Sequence, residues 1–293
     1  MSAAMTEPAD VRWMRRCLKG WRLPRGRDRL MRLFQLWLAG REFVIDVEPG
    51  IVIPAALDDW MVYWCFVGDH QRDRSFQWSL AMIRPGDTVV DAGANIGLWA
   101  LSAARRVGGQ GRVIAFEPVA RNFERLQEHV RMNEMTQVRC ESSALSNQPG
   151  PAVMYVRTAG HSGLASLVAH EGLDETTDVR RVTLDDYCAE HGIGRVDVLK
   201  VDVEGGELQV FEGAQALLGG PEAPLIMFEM DDRLAAPFGS SFGRVRAALA
   251  GWGYTVYRQA GGRLAAVGAG PAGAHEDLFA LKPAHAARTG VPR

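Results

Sequence analysis

Acidic residues close a series of apolar runs at points where the chain must turn: Asp91 in "TVVDAGANIG", Glu117 in "VIAFEP", Asp202 in "VDVLKVDVEGGE" and Glu229 in "PLIMFE". In the first of these, Gly93 and Gly97 permit a tight turn, and Asn95 tolerates left-handed backbone or offers its amide. A backbone this bare at the end of a strand is suited to a nucleotide cofactor. The G-A-N-I-G spacing is not the G-x-G-x-x-G of dinucleotide binders, so a ligand with an adenosyl group and no pyrophosphate suits it better. Glu117 follows Gly93 by about 24 residues, where an acid can accept hydrogen bonds from both ribose hydroxyls. Ser142 and Ser143 in "ESSALS" offer hydroxyls to an adenine edge. Asp202 and Glu204 crowd two carboxylates together, which is costly unless a cation or a proton-transfer task compensates. Glu204 has a plainer alternative role as cap of the helix opened by Gly205 and Gly206.

Strands and helices alternate regularly around these residues. "TVVDAG", "GRVIAFEP", "QVRCESSAL", "VDVLKVD" and "PLIMFEM" read as strands, with "AVMYVRT", "VRRVTL", "YTVYRQ" and "DLFALK" as further ones. Between them, 97–107, "ARNFERLQEHVRMNE", "TLDDYCAEHG", "GELQVFEGAQALL" and "SFGRVRAALAGWG" read as helices, with Thr183 as an N-cap. The pattern predicts an α/β fold: a Rossmann-like, doubly wound, mostly parallel sheet covered on both faces. Ligands bind such sheets beyond the carboxyl ends of the strands, where the strand order reverses. The expected division is an N-terminal helical and strand extension over 1–80, a cofactor-binding domain over 81–283 and a loose tail over 284–293.

The extension has its own character. Residues 11–40 are rich in Arg and Trp, with Asp28 their one acid. Helices are expected over 9–19 and around 30–37, followed by the strand-like "EFVIDV" and "GIVIP" and the aromatic "DDWMVYWCFVGDH". The favoured reading is a packing helix or a cap over the cleft; contact with an anionic membrane is a less favoured one. His70 at the end of the aromatic stretch is a secondary base candidate. The 293 residues carry a formal charge of −2 and four well-separated cysteines. That balance gives no global pull toward nucleic acid, and the cysteines read as reduced, buried thiols of a cytoplasmic protein. No stretch approaches the roughly 18 apolar residues of a membrane span.

The blocks "RPGDTVVDAGANIGLWALSAA", "VIAFEPVARNFERLQEHVRMN", "VTLDDYC" and "VDVLKVDVEGGELQVFEGA" together resemble the FkbM family of S-adenosylmethionine-dependent methyltransferases, in that family's order. The resemblance covers about residues 80–232, and "DLFALK" is similar to the closing strand of the methyltransferase fold. It implies S-adenosylmethionine as cofactor and methylation of a hydroxyl oxygen on a small molecule, often a secondary metabolite or sugar. Carried over, the methionine-side loop is Asp91, Gly93, Asn95 and Gly97, and the ribose acid is Glu117. Ser142 stands where related sequences often have asparagine. Methyl transfer from a sulfonium requires an in-line acceptor oxygen and benefits from a general base. The candidate bases are Asp202, Glu204, Glu229 and His161, the last in the small-residue loop "TAGHSGLASL". Asp202, Glu204 and Glu229 are also possible oxygen ligands for a divalent metal, which the sequence does not assign. Two alternatives stay open: a binding module that has lost its chemistry, and a nicotinamide-dependent oxidoreductase. The latter lacks the glycine fingerprint and any recognisable hydride-transfer constellation. No nucleic-acid partner is expected, because "NPPY"-type motifs and a basic stripe beyond the extension are missing.

Overall fold

The computed structural model describes residues 7–19, 33–34, 37–38, 41, 43–55, 57, 59–157, 165–169, 172–260, 262–268 and 275–289. Helix α1 (Ala9–Lys19) buries Val11, Met14 and Leu18 at spacings of three and four, as an amphipathic helix must. The two strand-like runs form β1 (Val44–Glu48) and β2 (Ile51–Pro54), which pair as an antiparallel hairpin. Helices α2 (Trp60–Val67) and α3 (Arg74–Ala81) follow, each N-capped by an aspartate, Asp59 and Asp73. This extension is no separate unit. Val11, Ile45, Phe66 and Leu80 share one hydrophobic core with Val89, Trp99 and Leu101 of the central domain.

The central domain opens with β3 (Thr88–Ala92), α4 (Leu98–Val107), β4 (Arg112–Phe116), α5 (Ala120–Met132) and β5 (Val138–Glu141). After an intervening small sheet, α6 (Leu184–Glu190) and β10 (Val198–Val201) return the chain to the main sheet. Next come α7 (Glu207–Glu212), α8 (Gln215–Gly219), β11 (Leu225–Met230), α9 (Asp232–Ala235) and α10 (Phe242–Gly251). Strands β12 (Thr255–Ala260), β13 (Arg263–Ala266) and β14 (Glu276–Leu281) close it. The main sheet runs β13-β12-β14-β11-β10-β3-β4-β5. Its members from β11 to β5 are parallel, and β14 enters antiparallel between β11 and β12. Strand order therefore reverses at β3, between β4 and β10. Valines 89, 90, 198 and 201 are fully buried, as strands covered on both faces require.

The structure departs from the sequence expectations at several elements. "QVRCESSAL" is two strands, because the chain leaves the main sheet at Ser142. Its second half, β6 (Ala144–Leu145), pairs with β9 (Glu175–Val182) in a small sheet ordered β6-β9-β7-β8, where β7 is Gly150–Val156 and β8 is Ala165–Ser166. "AVMYVRT" and "VRRVTL" belong to that sheet and not to the main one. "GELQVFEGAQALL" breaks at Gly213, where a Cβ would lie 2.0 Å from the Ser146 carbonyl oxygen; close backbone contact there excludes a side chain. Finally, residues 284–289 are not a loose tail. They form a turn and a short helix α11 (Ala286–Thr289), and Arg288 grips the buried Asp87 with two bonds of 2.9 Å. Thr183 caps α6 as expected, accepting the Asp186 N–H at 3.0 Å. All four cysteines are free, but Cys17 is exposed rather than buried, since it lies on the outer side of α1.

Candidate active site

At the end of β3 the chain turns through residues 93–97, and sterics dictate its composition. Gly93 has φ +80°, and a Cβ there would lie 1.8 Å from the Asp202 carbonyl oxygen. Gly97 has φ +89° and faces Leu126 Cδ1, 2.4 Å from a would-be Cβ. Both conditions favour glycine strongly. Asn95 adopts φ +51°, and its side-chain oxygen accepts the Ile96 N–H at 2.6 Å. The Gly93 and Ala94 N–H groups both donate to the Phe116 carbonyl, tying the loop to the end of β4.

Glu117 stands immediately after β4 and is buried. Its Oε2 accepts the Asn95 N–H at 2.8 Å, and its Oε1 accepts the Val119 N–H at 2.9 Å. Burial pushes the carboxyl up to about 7 against the pull of these hydrogen bonds. A carboxylate offers about four lone-pair sites, so both oxygens keep capacity for a hydroxyl donor from the cavity they border.

Behind the loop lies a buried ion cluster whose lysine the sequence pattern alone did not single out. Asp91 is fully buried, and Lys200 Nζ reaches its Oδ1 at 3.1 Å and Asp202 Oδ2 at 3.3 Å. Burial raises the Asp91 carboxyl, opposed by Lys200. Burial also works against the Lys200 ammonium, but the two carboxylates outweigh it and hold it above the ordinary lysine range. The signal available in the sequence was spacing: Lys200 and Asp202 are two residues apart in an extended run and so share a face.

Asp202, Glu204 and Glu229 converge beyond the ends of β10 and β11, with one carboxylate oxygen of each within 4.8 Å of the others. The crowding shows in their protonation. Burial raises Glu204 to about 8, with Asp202 and Glu207 adding repulsion. Burial likewise raises Glu229 to about 9, with Asp202 and Glu204 adding to it. Such a set can share protons, face a cation, or present oxygens to a hard divalent ion. Glu204 holds φ +53° and does not cap the next helix. The helix has no side-chain cap; Glu207 Oε1 instead ties down the loop before it, accepting the Gly205 N–H at 3.1 Å. His275 Nδ1 approaches Glu229 at 3.4 Å.

One cavity of about 620 Å³ connects these groups. Gly93, Asn95, Glu117, Ser143, Asp202, Glu204 and Glu229 all line it; Asp91 and Gly97 do not. Ser142 is exposed and does not line the cavity, because the chain has already turned toward the small sheet. His161 lies outside the described residues. His70 is not a base at this site: it is buried, and its Nε2 sits 2.7 Å from the Val47 carbonyl oxygen. Trp60, Trp64 and Phe76 of the extension also line it, together with Trp99, Phe238 and Asp277.

The residues fit a cationic adenosyl cofactor. Acids predominate along the cavity, a field that favours a sulfonium and opposes a pyrophosphate. An antiparallel strand between β11 and β12 also departs from the 3-2-1-4-5-6 order of dinucleotide folds. Glycine loop, buried acid after the second strand and this strand order define a Rossmann-like domain of the methyltransferase type.

A family model described as the Methyltransferase FkbM domain matches residues 91–256, and the chain belongs to that family. Methyltransferase sdnD from Sordaria araneosa is 29% identical over 165 residues, covering 46% of this chain and 63% of that protein. The 31-O-demethyl-FK506 methyltransferase FkbM of Streptomyces tacrolimicus is 30% identical over 215 residues, covering 63% of this chain and 78% of that protein. The match spans about three-fifths of the length of sdnD and of Methyltransferase 1 from Beauveria bassiana. The solved structure of an FkbM methyltransferase from Methylobacillus flagellatus aligns with TM-score 0.45 and 15% identity, over 76% of this chain and 55% of that one.

Proposed function

We propose that this protein is an S-adenosylmethionine-dependent O-methyltransferase that methylates a hydroxyl of a small molecule. The observation that carries the reading is the single cavity in which Glu117 and the glycine loop share walls with Asp202, Glu204 and Glu229. When bound, the cofactor supplies an electrophilic methyl group on a sulfonium. Glu117 accepts the ribose hydroxyls, and Ser143 offers its hydroxyl beside the adenosyl group. The methionine portion lies along the Gly93–Asn95 backbone, which borders the cavity.

The acceptor enters from the aromatic end, where Trp60, Trp64 and Phe76 offer flat apolar faces to a ring system or sugar. Its hydroxyl meets the carboxylate group at the ends of β10 and β11. An alcohol becomes a competent nucleophile as its proton leaves, and Glu204 and Glu229, raised to about 8 and about 9, hold their own protons at neutral pH. Asp202 leads as the base because it closes the central strand beside the cofactor loop; Glu204 and Glu229 are its neighbours in proton sharing. Lys200 holds Asp202 and Asp91 in register from below.

The testing experiment is calorimetric titration with S-adenosylhomocysteine and, separately, NAD. It is followed by mass-spectrometric detection of a +CH2 product from a panel of hydroxylated metabolites and sugars. Binding of S-adenosylhomocysteine without NAD, together with a methyl ether product, is expected. NAD binding alone would sink the cofactor reading. S-adenosylhomocysteine binding with a methyl ester or methylamine product would sink the hydroxyl reading.

A further inference from the structure

Helix α1 is anchored firmly on one side and unusually dressed on the other. Inward, Val11, Met14 and Leu18 join the core, and the buried Arg15 pairs with Glu7 and donates to the carbonyl oxygens of Phe66 at 3.0 Å and Asp46 at 2.7 Å. Outward, it presents Arg12, Trp13 and Arg16, and Trp13 is 64% exposed.

A second pair of exposed apolar side chains adjoins this face. Arg41 reaches Asp10 at 3.0 Å, and its guanidinium lies 4.6 Å from the centre of the Trp37 ring. Asp10 and Trp13 are three apart on α1, so they share a helix face. Trp37 is therefore held next to the Trp13 side of α1, and it is 54% exposed. Leu33, four residues before Trp37, is 60% exposed. Three of the five large exposed apolar side chains in the described residues fall within this one segment. Basic residues surround them. Between residues 9 and 41 only Asp10 and Asp28 are acidic among many arginines, although the whole chain carries −2. The positive charge is thus segregated to the segment that exposes the tryptophans, and the rest of the chain is net acidic.

We propose that the outer face of α1, with Trp13, Trp37 and Leu33 and the arginines beside them, docks onto an anionic lipid bilayer. Indole rings settle at the boundary of headgroups and acyl chains, and arginines pair with anionic headgroups around them. Arg12 also donates to the Glu7 carbonyl oxygen at 3.1 Å and pairs with its carboxylate at 3.5 Å, while the apolar inner face anchors α1 in the core. No helix of the described residues is long and apolar enough to cross a membrane, so the contact is peripheral and reversible. An acidic main body turned away from the bilayer would orient the molecule on it. This proposal does not rest on methyl transfer, and its test does not use that activity.

The test is co-sedimentation of the full chain with phosphatidylcholine vesicles, with and without phosphatidylglycerol, at low and high salt. Binding to the anionic vesicles alone is expected, weakened by salt and accompanied by a blue shift of tryptophan emission. Arg12→Ser with Arg16→Ser is expected to lower partitioning roughly fivefold per arginine removed. Trp13→Ser with Trp37→Ser is expected to reduce it further and to remove much of the blue shift. Thermal unfolding of each variant checks that the fold is kept; a variant that unfolds is replaced by Trp13→Tyr or Arg16→Gln. Failure to bind anionic vesicles at low salt would overturn the proposal, as would binding that both variants leave unchanged. Tighter binding to a short random-sequence DNA duplex than to the vesicles would assign the face to nucleic acid. A dimer in sedimentation analysis that Trp13→Ser dissolves would assign it to a second copy of the chain. Either result would also overturn the proposal.

Discussion

The two ends of the cavity are built by different means. At the cofactor end the determinants are largely backbone: left-handed glycines, a carbonyl of Phe116 that receives two N–H groups, and strand ends in register. At the acceptor end they are side chains delivered by α2, α3, β11 and β14, elements distant in sequence. Backbone geometry leaves few solutions, so the first end is tied to the fold itself. Side-chain walls can be exchanged with the fold intact, so on the proposed function the second end is expected to set acceptor selectivity. The difference predicts that damage to the first end appears as lost stability or cofactor affinity, and damage to the second as altered acceptor use.

The sharpest way to break that contrast is Lys200→Met. It leaves Asp91 buried without its partner, at an expected cost of about 3–5 kcal/mol in denaturant unfolding. A loss below about 1 kcal/mol would show that Asp91 is neutral in the fold and that the ion cluster does not hold the two strands.

Asp202→Asn is expected to lower turnover about 100-fold, with S-adenosylhomocysteine affinity changed less than about tenfold. Unchanged turnover would eliminate Asp202 as the base and leave Glu204 and Glu229.

Glu117→Ala is expected to weaken S-adenosylhomocysteine binding by about 1–3 kcal/mol. The wild-type affinity should also depend on pH. Burial pushes the carboxyl up to about 7, and hydroxyl donors favour its ionised form, so binding tightens as pH rises through 7. A flat profile, or affinity equal to wild type in the variant, would remove the ribose assignment.

Glu229→Gln should show the opposite balance, a gain in stability with a loss in function. Its carboxyl is raised from 4.5 to about 9 in the folded chain. The fold therefore binds that proton more tightly than the unfolded chain does. The associated stability is complete below pH 4.5 and is lost as pH rises toward 9. The glutamine variant does not ionise, so its melting temperature should exceed wild type near pH 9 and match it near pH 4. Equal melting curves at both values would mean that Glu229 ionises freely.

The smallest effect is expected from Trp60→Ala. Trp60 is 48% exposed at the aromatic end, so its loss should raise the acceptor KM several-fold while leaving cofactor affinity unchanged. A change in cofactor affinity instead would erase the boundary between the two ends.

Local patterns make the cofactor end legible in the amino-acid sequence. The glycine spacing, the acid after the second strand and the alternation of strands with helices are short-range signals. Each reflects a constraint that acts within a few residues: forbidden φ/ψ for side chains, the period of a strand, the need to cap a helix. Thr183 capping α6 and the strands β1 and β2 are legible for the same reason. The misread elements are those decided by contacts far along the chain. "QVRCESSAL" looks like one strand because its propensity is continuous; only pairing with β9, some forty residues later, pulls Ala144 and Leu145 into another sheet. Gly213 looks harmless within a helix until Ser146 approaches it.

The sequence by itself therefore determined the alternation of strands and helices along the chain, the glycine turn at residues 93–97 and the acids that close the strands. Those features follow from local sterics and periodicity, which need no partner to operate. Only the tertiary structure decided that Lys200 would bridge Asp91 and Asp202, that Glu207 and not Glu204 would satisfy the loop, and that Ser143 and not Ser142 would face the cavity. It also decided that a basic, tryptophan-rich start would bury one face in the common core and leave the other outside. Burial and pairing depend on which distant surfaces meet, and that is set by packing the whole chain at once.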